Sequence, residues 1–337
     1  MRVLKWLVIV VIVLVAGVIG VGFLLPDTAH VERSVVINAR PSTVYVALNG
    51  FRQFNKWSPW AGLDPEAEYL IEGPPLGVGA KQSWRSQDPS VGAGSQEIVE
   101  ALAHEKIVVR LIFEGWDSDN LATYTLSPEG RGTRLVWSYD TTFGGNLMAR
   151  YFGLMMDRMI GADYEKGLAS LKALVETLPQ VDLSGLQAEV VTVDSRPMLF
   201  ISGAAPADEA GGMLAAAIAK IAEHMAQNGL AQAEPPIAIT REYDEETKLW
   251  RFDAAMIADR PDPPAASEVG IQSGMTYGGL VIRATHRGPP SAMEPTYEQL
   301  VAFRTVAGFD DNGDSWEQYI AGDGGSEGTV YIYWPIR

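Results

Sequence analysis

The sequence predicts an α+β chain in three parts: an N-terminal transmembrane helix, an antiparallel sheet closed by one long helix, and a duplicated βαββ domain. Three observations predict it. Residues Trp6–Leu25 contain no charged side chain. A run of strand-like segments from Val31 ends in a helical stripe over Asn146–Leu178. Beyond residue 187 one order of elements is written twice.

The apolar stretch is 20 residues long, which at helical rise spans about 30 Å, the thickness of a bilayer core. Arg2 and Lys5 precede it and Pro26-Asp27 follow. The positive-inside rule then places the N-terminus in the cytoplasm and the rest beyond the inner membrane. A cleaved signal peptide is the rival reading. The run is longer than a usual signal core, and no A-x-A-like site closes it. Residues 1–28 are read as a single-pass anchor.

From Val31 to Asn38, apolar and polar residues alternate as in a half-buried strand. Pro41 suits a first helical position, with Val44, Tyr45 and Leu48 at helical spacing. The aromatic element Phe54–Trp60 follows. Segments 68–72, 80–85, 95–101, 106–113, 121–127 and 133–141 read as strands, the last two joined by a loop over Pro128–Gly132. In the closing helix, Leu147, Tyr151, Leu154 and Met155 and then Tyr164, Leu168, Leu171, Val175 and Leu178 keep to one face. Gly161-Ala162-Asp163 predicts a kink or a capped restart between the two sets. A polar connection with Pro and Gly, 179–187, marks a domain boundary.

After it come strands at 189–193 and 198–204, a helix at 213–230, and a hairpin of 236–243 with 249–258. The order returns as a strand over 275–287, a helix over 295–306, and a hairpin of 314–320 with 329–336 around Asp323-Gly324-Gly325. Pro261–Ser267 links the copies.

Composition narrows the chemistry. The net charge of −16 excludes nucleic acid as an expected partner, since no basic excess is available for phosphates. The acidity is concentrated late: 22 acidic against 10 basic residues from 187 onward, 20 against 16 before it. That half is suited to attracting cations. Cysteine is absent, so disulfides, thiolate catalysis and thiolate-held metals are excluded. His30, His104, His224 and His286 show no ligand spacing and read as surface or loop residues. No metal or cofactor is expected. Carboxylates, tyrosines and shaped apolar cavities remain.

The first half resembles the START-like (SRPBCC) helix-grip superfamily, closest to its polyketide cyclase/dehydrase-like branch. Val31–Pro41, Phe54–Trp60, and Gly145–Asp157 continuing to Asp163–Leu168 carry the resemblance, which covers about residues 29–178. It implies a cavity between sheet and helix that holds hydrophobic ligands. Trp57, Trp60, Trp84, Phe113, Tyr124 and Trp137 are the candidates for its lining, with ordinary core packing as the alternative for each. No catalytic residue of that superfamily is matched, so a cyclase activity would rest on fold analogy.

The second half resembles the gyrase-inhibitor-like (GyrI-like) effector-binding domain, also the sensor half of AraC- and MerR-type regulators. Ala284–Pro289, Tyr297–Leu300, Ser315–Ile320 and Tyr331–Ile336 carry it, over about residues 188–337. The resemblance implies a pseudo-twofold groove in which an acidic residue of the second copy faces aromatic side chains. By position that residue is Glu317.

On a strand, Ser315, Glu317 and Tyr319 share one face. A carboxylate ringed by Tyr243, Tyr319, Tyr331 and Tyr333 or Trp334 suits a flat lipophilic cation, with cation–π attraction of about 0.5–2 kcal/mol per ring. The expected role is therefore membrane-anchored binding of hydrophobic or cationic small molecules. The alternative is a hydrolase or cyclase using Glu317 as base and Tyr243 or Tyr319 as acid. A third option is a protein partner in the groove, and a lipid-transfer role and a DNA-binding regulator are weaker readings.

Overall fold

The computed structural model describes residues 2–116, 118–260, 263–266, 270–289, 292–320 and 328–337. The chain divides into two compact units, Met1–Asp182 with Val306–Gly308, and Leu183–Thr305 with Phe309–Arg337.

The first unit opens with α1, Arg2–Leu24. Its segment Leu4–Leu24 has a mean hydropathy of 3.2 and is long and apolar enough to cross a membrane. The same length and composition suit a signal sequence. Then come β1 (Thr28–Ile37), α2 (Pro41–Leu48), α3 (Phe54–Trp57), β2 (Glu68–Glu72), β3 (Lys81–Arg85), β4 (Ala93–Leu102), β5 (Lys106–Phe113), β6 (Asp119–Glu129) and β7 (Gly132–Thr142). They form one antiparallel sheet in the order β1-β7-β6-β5-β4-β3-β2. Along β7, Leu135, Trp137, Tyr139 and Thr141 are buried while Arg134 and Asp140 are exposed, the alternation of a sheet with one covered face. The Pro128–Gly132 loop is tighter than expected. Pairing runs through Pro128 and Glu129, leaving Gly130-Arg131 as the turn, with Gly130 at φ +60° where a side chain would be strained.

Helix α4 (Leu147–Val175) covers the sheet. Asn146 caps it, its side chain accepting from the Ala149 amide at 3.1 Å. Tyr164, Leu168, Leu171 and Val175 form its buried face. The expected break at Gly161-Ala162-Asp163 is absent, and the helix runs through without interruption. Gly161 answers a packing need instead: a Cβ there would lie 2.1 Å from the guanidinium of Arg33, which pairs with Asp157 and Glu165 at 2.9 and 2.8 Å.

The second unit holds β8 (Ala188–Val193), β9 (Pro197–Pro206), α5 (Ala210–Gln227), β10 (Ile237–Tyr243) and β11 (Leu249–Ile257), then β12 (Gln272–Met275), β13 (Gly279–Arg287), α6 (Glu294–Ala307), β14 (Trp316–Ile320) and β15 (Thr329–Pro335). Each copy is thus ββαββ: the first strand of the βαββ pattern, read as broken in the first copy and continuous in the second, is two strands in both. The strand expected over 275–287 is split in two at 276–278. The turn expected at Asp323-Gly324-Gly325, and Pro261, Asp262 and Ser267 of the expected link, lie outside the described residues.

All eight strands join one sheet in the order β12-β9-β11-β10-β14-β15-β13-β8. The order reads the same from both ends when copies are exchanged, as a local twofold requires. Each copy's first strand crosses over to edge the other copy, β8 on β13 and β12 on β9. At the centre, β10 meets β14 through Ile237–Gln318, Ala238–Glu317 and Ile239–Trp316.

Candidate functional site

Glu317 sits on that central seam. Its neighbours on β14 alternate between faces, Trp316 and Gln318 turning one way and Glu317 and Tyr319 the other. Glu317 is only 4 % exposed. Its side of the sheet is the side of α6, and Tyr297 from that helix donates its hydroxyl to Oε1 at 2.7 Å. Tyr319 donates to Oε2. Both carboxylate oxygens are therefore held by phenols, and among the described residues no Lys or Arg pairs with them. Burial raises the Glu317 carboxyl above its ordinary titration range. Hydrogen bonds from Tyr319 and Tyr297 and the nearby imidazole of His286 pull it down without cancelling the burial. Both phenols are pushed up, by burial first and then by the carboxylate.

His286, expected at the surface, is buried on β13. Its Nδ1 lies 2.9 Å from the Thr296 hydroxyl and its Nε2 3.3 Å from the Pro289 carbonyl. Trp334 is on Glu317's side of the sheet. Its ring stands edge-on to Tyr297 at 6.5 Å, under the Arg304 guanidinium at 4.9 Å.

The other aromatic candidates fall elsewhere. Tyr331 pairs with Gln318 and Tyr333 with Trp316, so both occupy the face opposite Glu317. Tyr243 lies beyond the last β10–β14 pair and is half-exposed, with the Lys248 ammonium 6.0 Å from its ring. On the opposite face, two adjoining cavities of about 180 and 230 Å³ share Ile237, Thr276, Tyr277 and Trp316. Tyr333 stacks on Trp316 at 4.9 Å and donates to Gln318 at 3.0 Å. Gln318 in turn donates to Glu234 at 3.3 Å. Glu234 already has a cation partner, Arg196 at 3.3 Å. The two acids thus differ in their partners among the described residues: Glu234 pairs with an arginine, whereas Glu317 accepts hydrogen bonds from two phenols.

In the first unit, Trp57, Trp60, Tyr124 and Trp137 come together as one cluster. Trp137 is its centre, with Trp57 edge-on at 5.4 Å, Trp60 edge-on at 6.0 Å and Tyr124 at 5.5 Å. Tyr164 of α4, read from sequence only as part of the helix stripe, stacks on Trp137 at 3.7 Å. Trp84 and Phe113 form a separate edge-on pair at 5.9 Å. The indole N–H of Trp84 donates to the Val91 carbonyl. Those of Trp57 and Trp137 are enclosed with no acceptor among the described residues. A buried donor left without a partner costs about 1–3 kcal/mol. Burial raises the Tyr124 and Tyr164 phenols, so both stay neutral donors.

The first unit is thus a long helix packed on an antiparallel sheet, and the second is a duplicated unit of strands and helices with a buried acid at its seam. Residues 28–176 match the family of polyketide cyclases/dehydrases and lipid transport proteins. No curated protein matches the chain. Among solved structures, a Chromobacterium violaceum protein is similar at 22 % identity and a TM-score of 0.34, over 45 % of this chain and 99 % of that one. The Aha1 dimer protein from Colwellia psychrerythraea is 16 % identical with a TM-score of 0.32, over 44 % and 97 %. The C-terminal domain of EcmrR is 15 % identical with a TM-score of 0.40, over 45 % and 98 %.

Proposed function

We propose that the chain is a membrane-tethered protein that binds small molecules, with one site in each unit. Residues 1–28 would be the tether, 29–178 a hydrophobic-ligand domain, 179–187 the connection and 188–337 an effector-binding domain. In this reading the tether crosses the inner membrane once, with its N-terminus in the cytoplasm.

The observation that carries the second site is Glu317, a buried carboxylate bonded to two phenols and, among the described residues, paired with no Lys or Arg. Burying an ionised carboxylate costs several kcal/mol, and a cationic guest would offset that cost. Tyr319, Trp334 and Tyr297 supply the aromatic surroundings on that face, and a guest reaching the carboxylate displaces a phenol from it. The cavity lined by Tyr333 is less suited to a cation, because Arg196 already neutralises Glu234 there. The first site draws support from the family match and from the enclosed indoles of Trp57 and Trp137, which favour a hydrophobic ligand bearing a carbonyl acceptor.

Titration of the detergent-solubilised chain with tetraphenylphosphonium, ethidium and rhodamine 6G tests the second site. Saturable micromolar binding that is lost in Glu317→Gln is expected. Equal affinity in both proteins would remove the counter-charge role. A second reading is favoured by the same contact: a carboxylate with raised titration range, bonded to two phenols, is also a base–acid pair for hydrolysis of an electrophile. Turnover that disappears in Glu317→Gln and follows a single-limb pH profile would select it.

A further inference from the structure

The first half of α4 has an apolar side that the sheet does not use. Met148, Phe152, Met155 and Met159 are 63, 55, 55 and 58 % exposed, and Leu154 beside them is 64 % exposed. The four fall at steps of four, three and four residues, one stripe along the helix. It lies on the side away from the buried residues Tyr164, Leu168 and Leu171. Continued past Gly161, the same side carries Ala162, Lys166, Ala169, Ser170 and Ala173, all small or charged. The apolar stripe therefore stops halfway, and no need of the helix itself explains where.

Its position does. The apolar half is the half that meets α1. Tyr151 donates its hydroxyl to the Val18 carbonyl, and Leu147 and Tyr151 both pack on Gly22. Arg150 donates to the Leu25 carbonyl at 3.1 Å, where the apolar helix ends. Val18 is six residues before Leu24, so Tyr151 reaches about 9 Å back along a span of about 31 Å, close to a bilayer core of about 30 Å. The exposed surface of α1 and the α4 stripe are thus neighbouring apolar surfaces. Exposed apolar patches of this kind mark a membrane or a partner, and the fade-out with distance from α1 selects the membrane.

We infer that the N-terminal half of α4 lies in the interfacial layer of the bilayer, with Met148, Phe152, Met155 and Met159 among the acyl chains. This rests on the reading of α1 as a retained anchor. The consequence is a fixed orientation: the grip helix of the first unit starts in the lipid, and its polar second half faces water.

The cysteine-free sequence makes the test direct. Single cysteines replace Met148, Phe152, Met155 or Met159 in the full chain, with Val13→Cys in α1 and Ser170→Cys in the polar half as references. Each is labelled with an environment-sensitive fluorophore, and the protein is reconstituted in vesicles of phosphatidylcholine and phosphatidylglycerol. The stripe labels are expected to emit at shorter wavelength and to lose intensity with doxyl-labelled lipid, as Val13→Cys does, while Ser170→Cys is quenched only by aqueous iodide. Stripe labels open to iodide, with Val13→Cys in lipid, overturn the inference and leave the anchor standing. Stripe labels shielded from iodide yet insensitive to doxyl lipid also overturn it, because protein then covers the stripe. If Val13→Cys itself lies in water, the anchor reading fails and the inference falls with it.

Discussion

Removing one hydroxyl tests how the buried acid is held. Tyr297→Phe keeps the ring that stands against Trp334 and deletes the donor 2.7 Å from Glu317 Oε1. A hydrogen bond to a charged group is worth about 1.5–3 kcal/mol, one between neutral groups about 0.5–1.5. The loss should therefore be about 2 kcal/mol where Glu317 is ionised, roughly thirtyfold in the folding equilibrium. It should fall to about 1 kcal/mol where the carboxyl is protonated. The substitution also removes a bond that favours the ionised form, so Glu317 should titrate at still higher pH. The assay is urea unfolding read by hydrogen-exchange mass spectrometry on β14 and β15 peptides, so that the second unit is seen apart from the first. Wild type, Tyr297→Phe, Glu317→Gln and the double variant form a cycle. If Tyr297→Phe costs the same in the Glu317→Gln background as in wild type, within about 0.5 kcal/mol, the phenol does not hold the acid and the site is misread.

Four further outcomes follow from the geometry. Because the folded-state titration of Glu317 is raised, the folded protein binds an extra proton between the unfolded and folded values. Stability should decline as pH rises through that window, and Glu317→Gln should flatten the decline, as thermal unfolding at pH 4.5 and 8 would reveal. Cation affinity should move oppositely, rising as the carboxyl ionises. Arg241→Met strands Asp253, whose side chain is 5 % exposed and whose other hydrogen-bond partner among the described residues is the Ser202 hydroxyl. Because Arg241 is partly solvated, a loss of about 1–3 kcal/mol is expected by urea unfolding. Gly132→Ala would bring a Cβ within 2.2 Å of the Ile37 carbonyl oxygen, so β1 and β7 must separate there. About 1–3 kcal/mol of destabilisation in the first unit is expected from a clash with backbone.

How far the sequence could be read follows from the range of each contact. Period-2 and period-3.6 patterns are local, so the strand run, α4 and the order of the second half were legible. The face shared by Glu317 and Tyr319 was also legible, because it needs only alternation within one strand. Tyr331 and Tyr333 needed more. Their side of the sheet depends on the β14–β15 register, and a slip of one residue would turn both toward the acid. Tyr297 was out of reach for another reason: it is 20 residues away, on a helix laid over β14, and no spacing rule joins the two. It stood in the sequence only as part of a family-like segment. Gly161 shows the reverse failure. A glycine inside a helical pattern signals either a break or a close approach, and only the Arg33 guanidinium against it decides between them.

The doubled fold explains why there is one such acid and not two. A local twofold exchanges β10 with β14, and at their crossing Ala238 stands opposite Glu317. Two carboxylates facing each other across one strand pair would repel in a buried setting, and neither could be held ionised without a cation. An alanine at the counterpart position removes that repulsion. The copies diverge in the same sense around it. Thr240 of the first copy is tied to the Trp250 indole at 3.0 Å, whereas Tyr319 of the second points its phenol at the carboxylate. Duplication thus supplies a symmetric seam, and divergence of one copy leaves a single buried acid on one side of it.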